Sequence, residues 1–249
     1  MNESAASSLV QGVPQAQVAV WGTYATTAPL GQPSQRLIRV LCWPEVPDAW
    51  PRLTGAIRNM AARLVRTNPE GAPSWMREAA PQICDALPVD AQVAEAMLAA
   101  LIQRLPVRLS MSMDEVGPGM TPSRPTRCRS LFRECLQAYA EHLEQTNQTS
   151  RAFAVGSPTD AATQRVQLAA FNGIRPLLEQ GERVDAMELR HWAEPKVPLP
   201  VELAQVIAEA AGRTLDDPGR PSPLWDAARS KLVGRPRWVA ADSRRRRKG

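Results

Sequence analysis

Lysine and histidine are scarce in this chain. Of thirty basic residues only Lys196, Lys231 and Lys248 are lysine, and the histidines are His142 and His191. Two histidines leave little scope for imidazole catalysis or a histidine-ligated metal. His142 falls on the apolar side of a helical pattern and His191 among mixed charges, so both read as structural. The four cysteines, Cys42, Cys84, Cys128 and Cys135, lack the close pairs, about two to four residues apart, that zinc sites use. They read as small buried hydrophobes in a reducing compartment. The acidic residues are scattered, without the clusters that two-metal nuclease chemistry needs. Phosphate-loop, dinucleotide, zincin, hydrolase and kinase motifs are all missing. No metal or cofactor is expected. No run approaches the roughly 18 apolar residues of a membrane helix. No basic residue precedes Arg36, so a signal-peptide n-region is not expected, and the cytoplasm is.

What the chain has is arginine. Residues 213–249 hold eleven Lys/Arg against four Asp/Glu, whereas the other 212 hold nineteen against twenty-one, so the net charge of +5 lies wholly in the C-terminal segment. Such a tail, ending in Arg244, Arg245, Arg246 and Arg247, reads first as a polyanion contact. Arginine forks phosphate and stacks on bases, which suits RNA. A GC-rich genome would also favour Arg, Ala and Pro, and the 23 prolines agree with that plainer origin.

Apolar periodicity and β-branched content predict strands over 18–27, 37–43, 107–113, 151–155 and 237–240. Helical patterns cover 48–66, 74–86, 89–104, 126–146, 158–180, 184–193, 199–212 and 222–233. The fold class is therefore α+β and helix-rich. Proline- and glycine-rich breaks divide the chain into a flexible lead (1–17), an α+β part (18–120), a helical part (121–200) and a basic C-terminal segment (201–249) expected to pack back on the core.

Two helical patterns place arginines together. In DAWPRLTGAIRNMAARLVR, residues Trp50, Leu53, Ile57, Met60 and Leu64 form a core face. Arg52, Arg63 and Arg66, with Asn59, lie within about 60° of one another on the opposite side. In TRCRSLFRECLQAYAEHLEQ, Cys128, Leu131, Phe132, Cys135, Tyr139, His142 and Leu143 share the apolar half. Arg127, Arg129 and Arg133, preceded by Arg124, crowd the helix start, against the acid-first order that the helix dipole prefers. A helix start lined with arginine is suited to phosphate. Near the C-terminus, Lys231, Arg235 and Arg237 extend the RNA-contact set. Any RNA cleavage would be metal-independent attack by the 2′-OH, which needs a strand held in line, a base, and cations at the phosphate. Arg36, Arg39 and Tyr24, on neighbouring predicted strands, are the candidates for those parts. Trp21, Trp43 and Trp238 are candidate stacking platforms.

In the early segment VAVWGTYATT, in Arg36 and Arg39, in TPSRPTRCRSLFRE and in KLVGRPRWV, the chain resembles the crRNA-processing endoribonucleases of type IV CRISPR systems. The resemblance implies a ferredoxin-like core with a helical finger insertion. It also implies metal-free cleavage of a repeat hairpin that is then retained in a ribonucleoprotein complex, a role in antiviral defence. The family's C-terminal glycine-rich loop is reduced here to Gly234, and no clear βαββαβ order is visible. Two other readings remain open. One is a non-catalytic nucleic-acid-binding protein of a plasmid, phage or replication system, and the other is a helical scaffold or interaction protein.

Overall fold

The computed structural model describes residues 13–26, 35–63, 73–87, 90–116, 124–194 and 196–239. Among these, the strands β1 (Val18–Ala25), β2 (Gln35–Pro44), β3 (Val107–Val116), β4 (Phe153–Gly156), β5 (Glu188–His191) and β6 (Arg237–Trp238) make one mixed sheet in the order β5-β4-β1-β2-β3-β6. β1, β2 and β3 form an antiparallel meander, to which β4, β5 and β6 add in parallel. Every strand except β2 therefore points the same way. The fold is α+β and helix-rich. Its strand order is not the βαββαβ order that the resemblance implies.

The helices are α1 (Ala49–Arg63), α2 (Ser74–Ala79), α3 (Pro81–Asp85), α4 (Ala91–Arg104), α5 (Arg124–Gln145), α6 (Ala161–Ile174), α7 (Leu199–Asp216) and α8 (Pro223–Arg229). Crossovers between parallel strands are right-handed, so connections running in opposite directions along the sheet must use opposite faces. From β3 to β4 to β5 the chain moves one way, carrying α5 and α6. From β5 it returns to β6 through α7 and α8. The core accordingly splits in two. Val18, Val20, Ile38, Val40 and Cys42 pack on α1, α3, α4, α7 and α8. Ala19, Trp21, Leu41 and Trp43 pack on α5 and α6. Strand alternation sends neighbouring residues to opposite faces, and both faces are covered.

Local chemistry sets the helix ends. Asp90 caps α4 by accepting from the amides of Gln92 and Val93, both at 3.0 Å, and Ser222 caps α8 through the amide of Trp225. The single helix expected over 74–86 is two, because Pro81 pushes Ala80 out of helical geometry, to φ −147°. A larger correction falls on 184–193. That stretch was expected to be helical but contains β5, whose backbone pairs with β4 from Phe153↔Glu188 to Gly156↔His191. Only Leu189 of its four residues is buried, too few to leave a strand signature.

α5 lies on a polar stripe of β3. Ser112 donates to the Leu131 carbonyl at 2.7 Å, the Ser110 hydroxyl meets the Cys135 sulfur at 3.1 Å, and Asp114 pairs with Arg127 at 2.5 Å. Gly22 is required on the other face. A Cβ there would come within 2.2 Å of the Ala204 carbonyl oxygen, so only glycine lets α7 lie this close to β1.

Candidate functional site

β4 ends at Gly156, opposite Trp21, so β1 continues past it as an open edge. The amide of Gln205 on α7 takes the missing strand's place. Its Oε1 accepts from the Thr23 N–H at 3.2 Å, and its Nε2 donates to the Thr23 carbonyl at 2.7 Å. Beyond that edge opens a cleft of about 570 Å³. Its floor is Trp21, Thr23 and Ala25 of β1 with Leu37 and Arg39 of β2. α5 gives Cys128 and Leu131, while residues 157–159 and the start of α6 give Thr163 and Gln167. The start of α6 and the second and third turns of α5 thus border a cleft at the C-terminal ends of β1 and β4, the usual ligand position in sheets with parallel crossovers.

Arg39 is the unusual residue here. It is 4 % exposed, and no carboxylate pairs with it among the described residues. Its guanidinium carbon lies 3.6 Å from the Phe132 ring centroid and 4.8 Å from that of Trp21. Nη2 reaches the Cys128 sulfur at 3.8 Å, while Nε and Nη1 are buried without an acceptor. Burial lowers its pKa, against the partial support of Cys128 and Cys135. The indole N–H of Trp21, held against Gly156, is a third buried donor without a partner. Arg36 Nε, Trp43 Nε1, Arg151 Nε and Arg175 Nε are likewise buried without an acceptor among the described residues, but only the Arg39 and Trp21 donors cluster on one cleft-lining pair.

His191 stands beside this group. Its ring packs edge-on to Trp21 at 5.4 Å, and Nε2 lies 2.5 Å from Oε1 of Gln167, a cleft residue. Burial, and then the Arg39 charge, lower its pKa from the ordinary 6.5, so the imidazole is neutral at pH 7. Reading residues 184–193 as a helix hid this residue. Nothing in ELRH points to the site; only the pairing of β5 with β4 brings it there.

The residues expected to form the site divide. Tyr24 and Arg36 do come together, because both bond Asp216 of α7, and Arg36 also reaches Glu115 at 3.3 Å. That places them on the α7 face of the sheet, whereas Arg39 is on the α5 face. Tyr24 and Arg39 both line the cleft, from opposite faces of the sheet, and Arg36 is not among its lining residues. Burial, then the bond to Asp216, raise the Tyr24 pKa well above its ordinary 10, so the phenol is protonated and poorly suited to act as a base.

Several arginines and a lysine expected on RNA have partners within the protein. Arg127, expected with its neighbours at a phosphate-binding helix start, is buried on Asp114. Lys231 donates to the carbonyls of Gln103 and Leu105, both at 2.9 Å, and closes the C-terminus of α4. Arg237 pairs with Glu141 and, at 4.0 Å, Glu134, fastening β6 to α5. Arg52 pairs with Asp48 at 2.8 Å. Arg129, Arg133, Arg235 and Arg63 are exposed, and among the described residues none has a carboxylate partner. Arg129 and Arg133 follow the cleft residues Cys128 and Leu131 on α5, and Arg165, likewise exposed and unpaired, lies between Thr163 and Val166 of the cleft on α6. Arg66, the Arg124 side chain, Arg244, Arg245, Arg246 and Arg247 lie outside the described residues.

Trp43 is buried in the core, and Trp238 is half exposed. Among the described residues no group of His, Cys, Asp and Glu could hold a metal ion, and no helix is long and apolar enough to cross a membrane. No family model matches the chain, and no curated protein matches it.

Proposed function

We propose that the protein binds RNA and seats one phosphodiester of a single-stranded stretch against Arg39. The observation that carries this reading is a guanidinium almost wholly buried at a cleft, with two N–H groups unsatisfied and no carboxylate partner. Desolvating a cation and leaving it unpaired is costly. A phosphate entering the cleft would supply the missing charge and acceptors, and the Trp21 N–H would add a further donor. The exposed, unpaired Arg129, Arg133 and Arg165, on the outer sides of α5 and α6, would draw the strand toward these helices.

The likeness to type IV crRNA-processing endoribonucleases extends the reading to cleavage in the cytoplasm, with the cut hairpin kept in a ribonucleoprotein complex. In this scheme neutral His191, whose Nε2–H faces Oε1 of Gln167, accepts the proton of a 2′-OH at Nδ1. The new O2′–P bond forms as the P–O5′ bond breaks, giving a 2′,3′-cyclic phosphate, and the departing O5′ takes a proton from solvent. Arg39 faces the charge that builds on the non-bridging oxygens. One observation favours a non-catalytic binder of the plasmid, phage or replication kind: Gln167 already engages the His191 ring, and Tyr24 and Arg36 are tied to Asp216.

Labelled hairpin RNA incubated with the protein in EDTA separates these readings. A discrete cut ending in a cyclic phosphate, reduced about 100-fold or more by Arg39→Met and by His191→Gln, supports the endoribonuclease. Arg39-dependent retention without a cut supports the passive binder. Absence of RNA affinity at moderate salt overturns both.

A further inference from the structure

The cleft is bipolar. Arg39 lines it from the α5 face of the sheet, and its wall on the α7 side carries three carboxylates, Glu78 of α2 and Glu202 and Glu209 of α7. A phosphate cannot lie against that wall, so a strand whose phosphate meets Arg39 must turn another part of the nucleotide toward it. The cleft volume of about 570 Å³ falls within the roughly 300–1,000 Å³ typical of small-ligand sites, enough for one splayed nucleotide. Bases extruded from single-stranded RNA are read on their Watson–Crick edges.

The three carboxylates are not equivalent. Glu202 is occupied, accepting from the backbone amides of Gln82 at 3.2 Å and Ile83 at 3.0 Å and from the Gln82 side chain at 2.9 Å. Glu78 is exposed to solvent. Glu209 is half-buried, and its nearest cation is Arg213 at 3.7 Å, beyond hydrogen-bond distance. Arg213 itself stacks over the Trp75 ring, 5.1 Å from its centroid. Burial raises the Glu209 pKa, Arg213 opposes the rise and Glu78 adds to it, as expected of a carboxylate short of donors.

An ionised carboxylate is acceptor-only and offers two oxygens side by side. Guanine alone presents two adjacent donors, N1–H and the 2-amino group, on its Watson–Crick edge. Adenine and cytosine set an acceptor beside their amino group, and uracil flanks its single N–H with two carbonyls. Building on the RNA reading above, we infer that the cleft selects guanosine, with the nucleotide's phosphate on Arg39 and the base edge on Glu209. Arg39 secures the strand whatever its sequence, and Glu209 supplies the base preference.

The test is a calorimetric titration of the full chain with 5′-GMP, 5′-IMP, 5′-AMP, 5′-CMP and 5′-UMP, repeated with short single-stranded oligoadenosines containing one guanosine or none. GMP should bind about tenfold more tightly than AMP, CMP or UMP, the discrimination expected of one bidentate contact. IMP, which lacks the 2-amino group, should fall between. Glu209→Gln should level the five, because its amide sets a donor against one of guanine's donors; Glu78→Gln should keep the preference. Thermal melts of both variants establish that they are folded. Equal affinities for the nucleotides in the unaltered protein, or a guanine preference that survives Glu209→Gln, overturn this inference and leave the RNA reading standing. Absence of binding to every nucleotide and to the oligonucleotides overturns the RNA reading, and this inference with it.

Discussion

Replacing Arg39 with methionine separates a ligand-binding arginine from a structural one. Methionine keeps an unbranched apolar stem against Phe132 and Trp21 and removes the charge. Two unsatisfied buried donors, Nε and Nη1, disfavour the native arginine by roughly 1–3 kcal/mol each. Against this, the substitution forfeits contacts with two aromatic faces, about 2 kcal/mol each when desolvated. These two terms nearly cancel, and removal of a buried, unpaired charge favours the variant, so Arg39→Met should be at least as stable as the native protein. A buried arginine that anchors the fold through an ion pair behaves differently, since breaking such a pair costs about 3–5 kcal/mol.

RNA affinity should fall sharply in the same variant. Hydrogen bonds to a charged group contribute about 1.5–3 kcal/mol, so the loss should reach roughly 10- to 100-fold, with a salt slope shallower by about one unit. Circular dichroism melts and fluorescence anisotropy on one preparation give both numbers. An Arg39→Met protein destabilised by more than about 3 kcal/mol, with RNA affinity intact, would refute the reasoning.

Three further outcomes follow from the same structure. Asp114→Asn should destabilise by about 3 kcal/mol or more by removing the charge that Arg127 meets under α5, and joint replacement of Asp114 and Arg127 by leucine and methionine should recover most of it in urea denaturation. Gly22→Ala should cost several kcal/mol in the same assay or prevent folding, since the added methyl meets the α7 backbone rather than a movable side chain. Stability should also fall on acidification through about pH 6.5. Burial lowers the pKa values of His142 and His191, so the unfolded chain takes up protons first; their contribution is full above the unfolded pKa and is lost as pH falls. Glu202 and Glu209, raised by burial, act the other way, contributing at low pH and losing it as pH rises through their folded values. His142→Gln with His191→Gln should therefore flatten the acid-side fall in Tm between about pH 7.5 and 5.5.

Much of the frame is legible in the sequence. The alternation in VAVWGTYA and LIRVLCW and the apolar halves of α1 and α5 correspond to observed strands and buried faces, because each such element buries enough side chains to leave a period. β5 was not legible, with one buried residue in four and its pairing supplied by β4, distant in sequence. The parity of β2 held more than was drawn from it. Arg39 alternates in step with Leu37, Leu41 and Trp43, which places it in the core facing α5, and its spacing of three from Arg36 puts the two on opposite faces. The internal roles of Lys231, Arg237 and Arg127 depend on partners from 13 to 128 residues away, and local charge patterns say nothing of them. Gln205 and Glu209 are illegible for a related reason, since among the other polar residues of α7 they read as ordinary helix polars.

The most direct test of a phosphate at Arg39 is the ¹⁵N–¹H spectrum of arginine Nε and tryptophan Nε1 groups during titration with single-stranded RNA, assigned through Arg39→Met and Trp21→Phe. The Arg39 Nε–H and Trp21 Nε1–H signals should shift together and saturate with the measured affinity, as two N–H groups without acceptors gain them. RNA binding that leaves both signals unmoved, while those of Arg129 or Arg133 shift, would contradict the account and place the strand on the outer surface of α5 alone.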